Sequence, residues 1–106
     1  MSTRASAYAK DRSYFLLLLQ VQIGELRSNP DSRAQVVTRL RELFRMVPRC
    51  LENAHLLGDT LFYESCCTFQ TACHSAIPIL RKDEDPISAY MAADQLERSV
   101  SWENPQ

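Results

Sequence analysis

Only two glycines, Gly24 and Gly58, occur in 106 residues. A sandwich or barrel of short strands needs more turn punctuation than that, which argues against an all-β fold. No stretch approaches the ~18 uninterrupted apolar residues of a membrane span. Net charge is only -1, so no overall field draws in nucleic acid or an acidic membrane. A glycine-rich phosphate loop is missing. Neither His55 nor His74 has a triad signature beside it. Asp83, Glu84 and Asp85 share a polar run with Lys82, which reads as a solvated loop and helix cap rather than an acid–base pair. No enzymatic activity and no cofactor are expected.

What remains is helical. Hydrophobic residues make up 45% and charged residues 24%, the balance of a folded domain. Leu, Ala, Arg, Glu and Gln are frequent, and all are good helix formers. The length suits one domain over residues 1–106, with 1–5 and 102–106 expected to fray. The opening "MSTRASAYAKDR" puts basic residues ahead of an apolar run, as a signal peptide does. The run Tyr14 to Leu19 is too short for one, and Gln20 and Gln22 follow it without a small-residue cleavage site. A cytoplasmic protein is the expectation. The cysteines agree: Cys50, Cys66, Cys67 and Cys73 include an adjacent pair, and three of them share one helical stretch. Bridges within such a stretch are disfavoured, so reduced, mostly buried thiols are expected.

Punctuation divides the chain into four main helices, an antiparallel bundle spanning about 6–28, 30–57, 59–81 and 86–101. "SNPDS" at 28–32 is a turn in which Asn29 is placed to cap and Pro30 to open the second helix. That helix carries the clearest periodicity. Val36, Val37, Leu40, Leu43, Phe44, Val47, Cys50, Leu51 and Ala54 fall on one arc, and the phase holds across Pro48. One helix kinked at Pro48 is therefore preferred to two. Gly58 suits a left-handed cap that turns the chain back, with Asp59 or Thr60 capping the third helix. The alternative is a single helix from 30 to 81, on the order of 75 Å long. Pro78 bends or ends the third helix near its last turn. Asp85 caps and Pro86 opens the fourth.

The run "YFLLLLQVQIG" at 14–24 does not fit one buried face. Phe15, Leu19, Ile23 and Leu26 form one stripe, extended by Tyr8. Tyr14, Leu17, Leu18 and Val21 form a second stripe on another side. In a four-helix bundle only one stripe faces the centre. Either the first helix is central, or its second face is an interface. The fourth helix also points Ile87, Tyr90 and Met91 away from its main stripe of Ala89, Ala93, Leu96 and Val100.

Charge is unevenly placed. Residues 1–53 hold nine Lys/Arg against five Asp/Glu, and residues 54–106 hold three against eight. Packing of a basic helix beside an acidic one accounts for this, with self-association as the competitor. Arg41, Arg45 and Arg49 form a row on the second helix, open to phosphates or to an acidic partner. Cys66, Cys73 and His74 are the candidates for a metal or thiol site, although zinc ligands normally pair at closer spacing.

The expected function is protein–protein interaction without catalysis, on the scale of small helical adaptors, chaperones or immunity-type proteins. Its simplest form is a homodimer through Tyr14, Leu17, Leu18 and Val21. Nucleic-acid binding through the arginine row and a metal or thiol site on the third helix are the alternatives.

Overall fold

A computed structural model describes residues 3–82 and 85–102. Its elements are α1 (Thr3–Ser28), a 3-10 turn (Pro30–Ser32), α2 (Arg33–Leu57), α3 (Thr60–Lys82) and α4 (Pro86–Ser99). They form an all-α bundle in which α1 packs on α2 and α4, and α3 packs on the same two. Short connections make successive helices antiparallel. The molecule measures 49 × 22 × 19 Å.

Most boundaries follow from local chemistry. Gly58 ends α2 at φ 74°, and its N–H donates to the His55 carbonyl while the Asp59 N–H donates to Ala54. Those paired bonds satisfy the last carbonyls of α2 and reverse the chain, so one helix from 30 to 81 is ruled out. The Asp59 carboxylate accepts the Phe62 N–H at 3.2 Å, and Asp85 accepts the Ile87 N–H at 3.0 Å. Both aspartates thus cap the helices they precede. α2 is continuous through Pro48, and α3 runs past Pro78 to Lys82. Both prolines lie on exposed positions.

The start of α2 differs from expectation. Asn29 makes no side-chain cap, and a 3-10 turn separates Pro30 from the helix proper at Arg33. Ser32 stabilises that turn. Its N–H and its hydroxyl both donate to the Asn29 carbonyl, at 3.0 and 2.7 Å. The expected fraying of 1–5 and 102–106 falls largely outside the described residues. Within them, α1 is already helical at Thr3, and the Trp102 indole N–H donates to the Glu97 carbonyl.

The core is continuous across all four helices. Phe15 packs edge-on against Phe62 and Phe69 at 5.6 and 5.0 Å between ring centres. Leu19, Leu26, Leu40, Leu43 and Leu96 are fully buried around them. α4 contributes Ala89, Ala92 and Ala93, small side chains that let it approach closely. With 14 residues against 26 in α1, α4 spans about 21 Å against about 39 Å. Its C-terminal end meets α1 around Gln20 to Arg27. It therefore flanks only the second half of α1. The first half closes directly onto α3, where Tyr8 and Arg12 meet Asp59.

The charge asymmetry is partly internal. Arg12–Asp59, Arg27–Asp94 and Arg27–Glu97 each join the basic half of the chain to the acidic half. Among the described residues no helix is long and apolar enough to cross a membrane.

Candidate functional site

α1 is a corner helix of the bundle, not a central one. Tyr8, Phe15, Leu19, Ile23 and Leu26 are buried, as the first stripe requires. The second stripe faces outward. Tyr14 is 51% exposed, Leu17 63% and Val21 48%. They stand at 14, 17 and 21, the i, i+3, i+7 spacing of one helical face. Leu18 departs from the expected set. It is half-buried and packs against the core, as does Leu16. The reason is angular: Leu18 sits at the edge of the stripe nearest Asp11, which pairs with Arg49 of α2, so α2 covers it. The run of four leucines thus resolves into one buried, two half-buried and one exposed.

A face this apolar is costly in water once several side chains lie side by side. Ile87 and Met91 on α4 are similarly exposed, with Tyr90 beside them. A third exposed group, Leu56, Leu57 and Leu61, surrounds the Gly58 turn.

The arginine row does not behave as a unit. Arg41, Arg45 and Arg49 are all exposed. Arg49 Nε donates to Asp11 at 3.0 Å. Arg41 instead lines a groove with Arg33 and with Arg81 of α3. Arg45 has no hydrogen bond or ion pair among the described residues. The spacing of the row is legible in sequence, but the pairing of Arg41 with Arg33 and Arg81 is not, because it joins two helices.

The thiol candidates are split by the fold. Cys66 and Cys73 are buried in the core with Cys50, whereas His74 is exposed and lies edge-on to Phe44, 5.6 Å between ring centres. Among the described residues no group of three or more His, Cys, Asp or Glu is gathered for a metal ion. Cys50 and Cys66 form a thiol–thiol hydrogen bond between α2 and α3, and that bond together with burial pushes Cys66 up. Burial alone pushes Cys73 up to about 12. The hydrogen bond to Cys66 draws Cys50 down, and all three thiols fill core volume.

One polar cluster escaped the sequence reading. Arg12, Tyr8 and Asp59 meet inside the lower half of the bundle, with the Arg12 guanidinium 5.4 Å over the Phe62 ring. The signal was present: on the helical wheel Arg12 falls within about 60° of Phe15, on the core side. The cluster is structural, since every group in it is engaged with another.

No protein family, curated protein or solved structure matches this chain.

Proposed function

We propose that the protein works by binding protein, and that it does so first as a homodimer through the outward face of α1. The observation that carries this reading is the exposure of Tyr14, Leu17 and Val21 together on one face. A second copy supplies the same apolar face in a closed two-fold arrangement, the commonest form of small oligomer. Burying a leucine contributes on the order of 1.5–3 kcal/mol, and a two-fold axis counts each contact twice. The arginine row supports a partner less strongly, because Arg49 is already tied to Asp11. No catalytic step belongs to this reading. The four free thiols fit a reducing compartment, the cytoplasm.

Light scattering on the purified chain across a range of concentration tests the proposal. The expected result is twice the chain mass, falling to the chain mass in Leu17→Glu with helical content unchanged. A wild-type protein that stays monomeric throughout overturns self-association. A Leu17→Glu variant that stays dimeric overturns the assignment of the interface to the outward face of α1.

A further inference from the structure

The groove between the start of α2 and the end of α3 has a different chemistry from the α1 face. We propose that it is a binding site for an organic phosphate, a phosphate monoester carrying an apolar group.

Three guanidinium groups line this groove, those of Arg33, Arg41 and Arg81, and among the described residues Asp31 is the one carboxylate in its lining. Its volume is about 600 Å³, within the range of small-molecule sites. Most arginines elsewhere in the bundle are committed: Arg12 to Asp59, Arg27 to Asp94 and Glu97, Arg39 to Glu42, Arg49 to Asp11. Arg41 and Arg81 have no ion pair or hydrogen bond among the described residues. Arg33 donates from one terminal nitrogen to the Asp85 carbonyl, which fixes its position between α2 and α4. Its Nε is buried and has no hydrogen-bond partner among the described residues.

Three like charges around one concavity repel one another, and a dianion between them reverses the sign of every one of those interactions. Guanidinium forks match the oxygens of phosphate in pairs, so three of them suit its three terminal oxygens. The first turn of α2 adds the positive end of its dipole on the same side, where Arg33 and Ala34 line the groove. The walls are not wholly polar. Val37 and Leu80, both nearly buried, also line it. Arg81 is shared with an adjoining groove that contains Ile77, Pro78 and Lys82. An ester with an apolar group therefore fits better than inorganic phosphate.

Calorimetric titration of the full chain with phenyl phosphate, inorganic phosphate and phenol tests this at low salt. Phenyl phosphate is expected to bind saturably at one site per chain, inorganic phosphate more weakly and phenol not at all. Arg41→Gln and Arg81→Gln should each weaken phenyl phosphate about tenfold or more, the loss of one charge-assisted contact. Both side chains are exposed, so circular dichroism should be unchanged. Arg45→Gln, on the same helix but outside the groove, should bind as wild type does. Absence of saturable binding in the millimolar range overturns the proposal. So does equal affinity for inorganic and phenyl phosphate, or equal loss in Arg41→Gln and Arg45→Gln. A single-stranded oligonucleotide that binds more tightly than phenyl phosphate and is weakened equally by Arg41→Gln and Arg45→Gln would assign the arginines to nucleic acid instead.

Discussion

Tyr8 donates its phenol hydrogen to Oδ2 of Asp59 at 2.7 Å, bridging the first helix to the start of the third. The other carboxylate oxygen of Asp59 accepts the Phe62 N–H, and Arg12 Nε lies 3.3 Å from Oδ2. One aspartate therefore caps α3, receives a phenol and neutralises a guanidinium whose side chain is only 8% exposed. It does so where α4 does not reach, so the contact replaces the missing fourth helix at that end of the bundle.

Asp59→Ala removes all three interactions and leaves Arg12 charged and buried. Breaking such a pair from one side costs ~3–5 kcal/mol. Tyr8→Phe removes one hydrogen bond and costs about 1 kcal/mol. Asp59→Asn should fall between, because asparagine still caps the helix. Urea unfolding ranks the three. Equal losses in Asp59→Ala and Tyr8→Phe would mean that the carboxylate charge contributes nothing.

The two glycines predict opposite signs for the same substitution. A Cβ added at either meets nothing within 4 Å, so sterics with neighbours drop out. Gly58 has φ 74°, and alanine there should cost about 1 kcal/mol of backbone strain. Gly24 lies inside α1 with helical geometry, and alanine there should stabilise by ~0.5–1 kcal/mol. Thermal unfolding should separate the two variants by several degrees, at roughly 4–8 °C per kcal/mol for a domain of this size. A gain in both would mean that the Gly58 turn is not held in the left-handed region.

How much of this was legible depends on whether a residue's role is local. The α2 stripe was readable because its phase is steady: Val36, Val37, Leu40, Leu43, Val47, Cys50 and Ala54 are all buried. The Gly58, Asp59 and Asp85 caps were readable because each satisfies backbone groups a few residues away. The two stripes of α1 were readable too, but the edge between them was not. Leu18 lies on that edge, and only the position of α2 decides its burial. Pro30 misled because a proline fits a 3-10 turn as well as a first helical residue, and Ser32 tips the balance through its bonds to Asn29. The Arg33, Arg41 and Arg81 groove was out of reach: an antiparallel hairpin at Gly58 brings the start of α2 to the end of α3, but the pattern of neither helix says which side chains line the space between them.

Neighbouring leucines supply the sharpest test of the outward face. Leu17→Glu places a charge in water and should leave stability within about 0.5 kcal/mol of wild type when measured on the monomer. Leu18→Glu forces a carboxylate against the core, and should cost ~1–3 kcal/mol more than its neighbour. Urea midpoints at low protein concentration compare them without contribution from self-association. Equal losses would mean that Leu17 is also packed, and the outward face would then be part of the fold.

Alkaline pH should loosen the bundle through its buried thiols. Cys73 is pushed up to about 12 by burial, whereas a thiol in the unfolded chain ionises near ~8.5. Between those values the unfolded chain has released a proton that the folded chain keeps. The contribution to stability is therefore whole below ~8.5 and falls as pH rises, by ~1.4 kcal/mol per pH unit for one thiol. Burial of Cys66 acts in the same direction, whereas the hydrogen bond it shares with Cys50 raises Cys66 and lowers Cys50, so its two effects oppose. Cys73→Ala should be less stable than wild type at neutral pH, because it empties part of the core. Its stability should nonetheless decline less steeply from pH 9 to 11, by about one thiol's share of the slope. Urea unfolding at pH 7, 9, 10 and 11 reads both slopes. Parallel slopes would mean that Cys73 ionises as readily in the folded chain as in the unfolded one, and the core would then be open to water at α3.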